Sequence, residues 1–185
     1  MAKKLREIVL ENKIGNSKEI PFDKETHHGF WDSDDKDYVD VYHGTHKRNI
    51  DSVAKNGLNR PDPKTGKISV TMDPYTAHGY AAMSGSGGEA NFRGAGGKAV
   101  TTPHEDRAVA KFRIPKKWLK DNMDHDLGGN VGTAREHMSS PEAYKKWKSS
   151  NPSGSDHNYY ATSEFRIGKP IPPSFYVGHS FKVKK

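Results

Sequence analysis

The stretch Tyr38-Val39-Asp40-Val41-Tyr42-His43-Gly44-Thr45 decides how this chain begins to fold. Its first five residues are mostly aromatic or β-branched, which is typical of a β-strand. We expect this strand to stop at His43-Gly44-Thr45 and a helix to follow, with Thr45 as its N-cap. Apolar residues then recur at helical spacing, and Gly57 is the residue expected to end the helix.

A second strand and a second helix follow after a loop that contains two prolines. The segment Lys67-Ile68-Ser69-Val70-Thr71 is predicted to be a short strand. Asp73-Pro74 predicts a helix start, because the aspartate can cap backbone N–H groups and proline suits the first helical turn. Tyr75 and Tyr80 lie on this helix, where tyrosines at helical spacing more often pack in a core than contact a ligand.

The remainder of the chain alternates strands with short helices. Residues 107–114 are predicted to be a strand that contributes Val109, Phe112 and Ile114 to the core. Pro115 and the Ser140-Pro141-Glu142 triplet each predict a helix start. Two further strands are expected at 159–167 and 175–183, so the pattern indicates an α+β fold with antiparallel pairing of the late strands.

Two segments are expected to differ from this folded part. Residues 1–36 are interpreted as an N-terminal arm, and residues 37–185 as the single folded domain. Residues 83–97 contain six glycines and few apolar side chains, which predicts a mobile loop.

The composition excludes several classes of chemistry. The 185 residues contain no cysteine, which removes disulfides, thiol catalysis and thiolate metal sites. There are 30 basic and 23 acidic residues, and the formal net charge of +7 favours an anionic partner. No apolar run is long enough to span a membrane, and no apolar run follows the N-terminal charges as in a secretory signal. We therefore expect a monomer without membrane contact, in the cytoplasm of its own cell or of a target cell.

Three stretches carry residues that could perform chemistry. The first is His43-Gly44-Thr45, where a glycine beside a histidine lets the backbone approach a ligand closely. The second combines Ser69 and Thr71 with the tyrosines of the following helix. The third is Ser163-Glu164-Phe165, where strand alternation puts Glu164 on the face away from Phe165. Each also has a purely structural interpretation: a surface histidine, hydroxyls bonded to backbone, and an exposed strand glutamate.

In their order along the chain, these stretches resemble the catalytic domain of ADP-ribosyltransferases. The closest similarity is to the His-Tyr-Glu branch, which includes the poly(ADP-ribose) polymerases, and it covers residues 38–183 approximately. The second strand instead resembles the Ser-Thr-Ser strand of the Arg-Ser-Glu toxin branch, so the chain has features of both. The resemblance implies a split antiparallel β-sheet core with short flanking helices. The segments that carry it are His43-Gly44-Thr45, Gly57-Leu58, Ser69-Val70-Thr71, Ala77-His78-Gly79-Tyr80-Ala81, Ser163-Glu164-Phe165 and the Pro170–Pro173 turn.

The resemblance also implies an activity and a set of functional residues. The activity would be mono-ADP-ribosyl transfer from NAD to a macromolecular acceptor, either nucleic acid or an acidic protein, as in bacterial or phage effectors and toxins. Glu164 would be the catalytic residue, because a carboxylate stabilises the positive charge that develops on the ribose. Tyr80, with Tyr75 as the second candidate, would stack on the nicotinamide. The residues assigned to NAD binding are His43, Gly44, Thr45, Ser69, Thr71, Tyr75 and Tyr80.

Two other functions remain open at this point. RNA 2′-phosphotransferases also carry His-Gly-Thr and use NAD. A non-catalytic nucleic-acid-binding protein would use the basic segments 113–120 and 145–148 together with the aromatic residues Trp118, Trp147, Tyr159 and Tyr160. A metal hydrolase is rejected and no metal site is predicted, because the glycine in His43-Gly44-Thr45-His46 places the two rings poorly and no His-Glu-x-x-His helix exists.

Overall fold

The computed structural model describes residues 18–22, 35–59, 61, 66–82, 102–123, 140–150 and 164–183. Within these residues, five strands form one antiparallel sheet in the order β4-β2-β1-β3-β5. The strands are β1 (Tyr38–His46), β2 (Ile68–Thr71), β3 (Arg107–Pro115), β4 (Glu164–Ile167) and β5 (Tyr176–Ser180). The helices are α1 (Ile50–Asn56), α2 (Pro74–Ala81), α3 (Lys116–Asn122) and α4 (Pro141–Ser150). Short 3₁₀ turns lie at Lys47–Asn49, His104–Asp106 and Pro173–Phe175. Mixed helices and strands with antiparallel pairing are compatible with the predicted α+β class.

Both faces of the sheet are covered by apolar side chains. Val39 and Val41 of β1 belong to a large cluster on one face, whereas Tyr42 belongs to a smaller cluster that includes Ala77 of α2. This separation follows from strand alternation, because successive side chains point to opposite faces. On β3, the three residues predicted for the core are indeed fully buried: Val109, Phe112 and Ile114.

Local sequence signals correctly predict where two helices begin and where one ends. Asp73 caps α2, with its carboxylate oxygens accepting from the backbone N–H groups of Tyr75 at 3.1 Å and Thr76 at 2.8 Å. Ser140 caps α4 through a 3.1 Å hydrogen bond from the Ala143 N–H. At the end of α1, Gly57 adopts φ 70°, a conformation that glycine reaches without steric cost.

The end of the first strand differs from the prediction. β1 continues through His43 and Gly44 to His46, which pairs with Arg107, so the strand does not stop at the His-Gly-Thr motif. Thr45 is therefore a strand residue and not an N-cap. The cap of the following 3₁₀ turn is His46, whose Nδ1 accepts from the Arg48 N–H at 3.2 Å. Pairing with β3 keeps the backbone extended beyond the point where sequence propensity suggested a helix start.

A segment of the predicted N-terminal arm packs against the sheet. The Ile20 N–H donates to the His179 carbonyl at 2.7 Å, and the His179 N–H donates to the Lys18 carbonyl at 2.9 Å. Phe22 is buried and meets the ring of Tyr42 edge to face, with centroids 5.3 Å apart. The N-terminal segment 18–22 is thus part of the folded unit.

Some predictions concern residues outside the described ranges. The glycine-rich loop at 83–97 and the first part of the strand predicted at 159–167 both lie there, while Glu164–Ile167 forms β4. The last strand is shorter than predicted and spans Tyr176–Ser180. Across the described ranges, no helix has both the length and the apolar character needed to cross a membrane.

Candidate functional site

The two edges of β1 are paired to very different extents. Toward β3, register pairs run along the whole strand from Tyr38↔Pro115 to His46↔Arg107. Toward β2, pairing within the described residues is confined to Tyr42↔Thr71. The backbones of β1 and β2 therefore separate after this pair. We call the gap between residues 43–46 of β1 and residues 68–70 of β2 the strand opening.

One side chain spans the strand opening. The Nδ1 of His43 lies 2.8 Å from the backbone carbonyl of Ser69. A carbonyl can only accept, so Nδ1 carries the proton and Nε2 presents a lone pair when the ring is neutral. Burial lowers the pKa of His43, and the bond to the Ser69 carbonyl opposes this in part. The half-buried imidazole is therefore neutral at pH 7, with Nε2 able to accept a hydrogen bond from a hydroxyl.

Glu164 lies on the strand next to this opening. Thr71 of β2 pairs with Tyr42 on one side and with Glu164, the first residue of β4, on the other. Because neighbouring strands are spaced by about 5 Å, the backbone of Glu164 lies about 10 Å from β1. The three stretches singled out from the sequence thus meet on three adjacent strands.

Two of the predicted NAD-binding hydroxyls already have protein partners. The Oγ1 of Thr71 accepts from the Asp73 N–H at 3.2 Å, and only 1% of this residue is exposed. The Oγ1 of Thr45 accepts from the side-chain amide of Asn49 at 3.2 Å, and Thr45 is 5% exposed. Both hydroxyls serve the local fold, as the structural interpretation of the sequence expected for Thr71. Their contact with NAD stays a prediction.

Gly44 is needed for helix packing. A Cβ at this position would lie 1.8 Å from the Ala77 carbonyl oxygen and 2.7 Å from the Ala81 nitrogen, both backbone atoms of α2. Distances below 3 Å to backbone cannot be relieved by moving a side chain. The sequence interpretation explained this glycine by close approach of a ligand, whereas in the structure α2 makes the close approach. The predicted contact of its backbone with NAD remains untested.

The two candidate stacking tyrosines flank the buried face of α2. That face consists of Pro74, Ala77, His78 and Ala81, at i, i+3, i+4 and i+7. Tyr75 and Tyr80 are both half-buried and belong to neither apolar cluster. His78 was missed by sequence reasoning, although the same helical spacing would have placed it on the buried face.

The basic segment considered for nucleic-acid binding is partly engaged within the protein. Arg113 forms an ion pair with Asp35, and Lys117 forms one with Asp121 at 2.6 Å. Lys116 is only 9% exposed, and burial lowers its pKa. These contacts weaken the case for residues 113–120 as a nucleic-acid interface.

A small surface pocket lies at the other end of β2 and β4. It is lined by Pro61, Gly66, Ile68, Ile167, Gly168, Lys169 and Pro170. Ile68 pairs with Ile167, whereas Thr71 pairs with Glu164, so the pocket is separated from the Glu164 end of these strands. It carries one ionisable side chain and offers no catalytic constellation.

Comparison with known proteins does not assign the chain to a group. No protein-family model matches it, and no curated protein or solved structure is significantly similar to it. The case for a function therefore depends on the geometry of the strand opening and on the residues around it.

Proposed function

We propose that this protein is a mono-ADP-ribosyltransferase that uses NAD as its co-substrate. The observation that carries the proposal is the strand opening, bridged by a neutral His43 and flanked by the strand that begins with Glu164. The backbones of β1 and of Glu164 lie about 10 Å apart across the sheet, a span that suits the two ends of a reacting nucleoside. The positive net charge of the chain suits a dianionic cofactor.

His43 would bind NAD and take no part in bond breaking. Its Nε2 would accept a hydrogen bond from a ribose hydroxyl, because Nδ1–H is committed to the Ser69 carbonyl. The backbone edge of residues 43–46 that faces the strand opening would offer N–H and C=O groups to the nicotinamide amide. Tyr80, with Tyr75 as the second candidate, would stack on the nicotinamide ring.

Glu164 would act on the reacting ribose. The bond between C1′ and the nicotinamide nitrogen breaks, and its electron pair leaves with neutral nicotinamide. The ribose gains positive charge, which a carboxylate stabilises most strongly in the transition state. The acceptor nucleophile then bonds to C1′ and loses its proton, which completes the transfer of ADP-ribose.

The charge of +7 favours an anionic acceptor, either nucleic acid or an acidic protein face. Incubation with labelled NAD and whole-cell lysate, with and without nuclease, distinguishes the two. Nuclease-sensitive label indicates nucleic acid, and protease-sensitive label indicates protein. Salt-sensitive DNA binding without any nicotinamide release would instead favour a non-catalytic nucleic-acid-binding protein.

The decisive variant is Glu164→Gln, which keeps the size of the side chain and removes its charge. We expect nicotinamide release to fall about 100- to 1000-fold, as for the loss of a preorganised electrostatic contact. NAD affinity should change little, because the charge acts mainly in the transition state.

The matched control is Glu142→Gln, the same chemical change at an exposed position of α4. This variant should keep full activity, and thermal unfolding should be similar for both variants and the parent protein. Full activity in Glu164→Gln would remove this residue from catalysis and the proposed mechanism with it.

A further inference from the structure

Two buried polar atoms near the end of α2 lack a hydrogen-bond partner. They are Nε2 of His78 and Oγ1 of Thr102, and no donor or acceptor among the described residues satisfies either atom. His78 is 6% exposed and Thr102 is 4% exposed. Burying a polar group without a partner destabilises the fold, so two such atoms on neighbouring segments indicate a group that would satisfy them both.

These two residues belong to one connected cluster. The Thr102 N–H donates to the Ala82 carbonyl at 2.8 Å, directly after α2, and the Arg107 Nε donates to the Thr102 carbonyl at 3.0 Å. The rings of His78 and His104 lie 4.6 Å apart between centroids. We call the group His78, Thr102, His104 and Arg107 the His78 cluster.

The positive charge in the His78 cluster is not balanced by a carboxylate of the described residues. Burial first, and then the positive charges of His104 and Arg107, lower the pKa of His78. Glu105 and Asp106 lie in the same 3₁₀ turn, yet within the described residues neither forms an ion pair with Arg107. The cluster therefore presents a guanidinium, a buried hydroxyl and a buried imidazole. Within the described residues, no carboxylate forms an ion pair with this guanidinium.

We propose that the His78 cluster is a binding site for a single phosphate group. A guanidinium can donate two parallel hydrogen bonds to phosphate oxygens, and its terminal nitrogens remain for this because Nε is used by Thr102. The Thr102 hydroxyl and the His78 Nε2 add two donors once the imidazole is protonated beside the anion. The carboxylates of Glu105 and Asp106 nearby disfavour a dense polyanion and favour one phosphate.

The His78 cluster lies on the face of the sheet that α2 covers, close to the end of β1. Arg107 pairs with His46, at the end of β1 that follows His43. α2 carries both His78 and Tyr80. The phosphate could belong to NAD or to a nucleotide acceptor, and the site itself does not depend on the transferase activity.

The test is an NMR titration of the histidine rings with inorganic phosphate. Phosphate bound beside His78 should raise its pKa by about one unit, equivalent to a tenfold coupling between proton and anion. His179 is the internal control, because it is also buried but its Nδ1 is hydrogen-bonded to the Tyr176 hydroxyl at 2.9 Å. Its titration should not change.

Variants show whether the cluster is responsible. Arg107→Gln and His78→Gln should each weaken phosphate binding about tenfold or more, as for the loss of a charge-assisted contact. Lys117→Gln, which removes an exposed lysine on α3, should bind phosphate like the parent protein. If His78→Gln does not fold, phosphate binding by Arg107→Gln still tests the proposal, because Arg107 is only half-buried.

The source of the phosphate is then identified by competition. NAD and a short oligonucleotide are each titrated against inorganic phosphate, and the one that displaces it from His78 is the source. If neither ligand displaces phosphate, the site binds free phosphate. The proposal is overturned if phosphate leaves the His78 titration unchanged, or if Arg107→Gln binds phosphate as well as the parent protein does.

Discussion

The two edges of β1 show how one strand can serve both the scaffold and the site. Toward β3, nine register pairs hold the strand along its full length, and Val109, Ala110 and Phe112 on that side are fully buried. Toward β2, the described residues form the single pair Tyr42↔Thr71, and a histidine side chain replaces the missing backbone ladder. Continuous pairing fixes the strand, and this permits the other edge to remain open.

The unequal pairing of the two edges predicts which substitutions should affect stability and which should affect function. A substitution that disturbs the contacts of β1 with β3 or with the helices should destabilise the protein strongly, because much of the core packs against these strands. A change to the His43 side chain, which spans the strand opening, should leave the fold almost intact and alter ligand binding. The predictions below test this division, beginning with the largest effect.

Gly44→Ala should destabilise the protein severely. The new Cβ would overlap the backbone of α2 at 1.8 Å from the Ala77 carbonyl oxygen, so the helix would have to move away from β1. Overpacking of this kind costs on the order of 3 kcal/mol, which lowers Tm by roughly 6–12 °C in a chain of this size. Thermal unfolding followed by circular dichroism measures the change.

Gly79→Ala is the matched control for this prediction. Gly79 lies on the exposed side of α2, and a Cβ there meets nothing within 4 Å. Alanine is favoured over glycine inside a helix by about 1 kcal/mol, so this variant should be slightly more stable than the parent protein. A stable Gly44→Ala variant that had lost NAD binding would reverse our interpretation and restore ligand approach as the reason for this glycine.

His43→Ala should show the opposite behaviour, with a small effect on folding and a larger one on NAD affinity. Removing one hydrogen-bond acceptor should weaken NAD binding about three- to tenfold, since a neutral hydrogen bond contributes roughly 0.5–1.5 kcal/mol. Calorimetric titration with NAD measures the affinity. The rate of nicotinamide release at saturating NAD should fall less than the affinity does.

The control for His43 is His46→Ala on the same strand. The His46 side chain caps the following 3₁₀ turn and does not span the strand opening. Its removal should cost about 1 kcal/mol of stability and leave NAD affinity unchanged. Equal losses of affinity in both variants would show that the opening is not where NAD binds.

The sequence predicts those parts of the fold that are determined locally. The Asp73-Pro74 cap, the Gly57 stop and the core residues of β3 follow from capping chemistry, backbone conformation and strand alternation. The end of β1 is wrong because long-range pairing with β3 overrides the local helix signal after Thr45. Pairing between distant segments leaves no local trace in the sequence.

The same limit applies to the candidate site. That His43 contacts Ser69, 26 residues away, depends on how β1 and β2 separate, which no spacing in the sequence reveals. Phe22 is a single aromatic residue in a polar stretch, and its burial against Tyr42 requires knowledge of where β5 lies. Residue type identified Glu164 and His43 as candidates, but only the strand order relates their positions.

Mild acid should reduce the stability of the protein, by a small amount for each buried histidine. Burial lowers the pKa of His43 at the open edge of β1 and of His78 and His179 elsewhere in the fold. As the pH falls below about 6.5, the unfolded chain binds protons at these histidines while the folded protein does not, so the free energy of unfolding decreases. The decrease continues until each folded-state pKa is reached, and each histidine contributes at most about 1.4 kcal/mol per pH unit.

Urea unfolding at pH 7.5, 6.5 and 5.5 measures this dependence, and carboxylates titrate too low to interfere in that range. His43→Gln should flatten the dependence by one histidine and so should His179→Gln, although only His43→Gln should weaken NAD binding. If stability were independent of pH between 7.5 and 5.5, these histidines would bind protons equally in the folded and the unfolded protein, and burial would not keep the His43 ring neutral in mild acid.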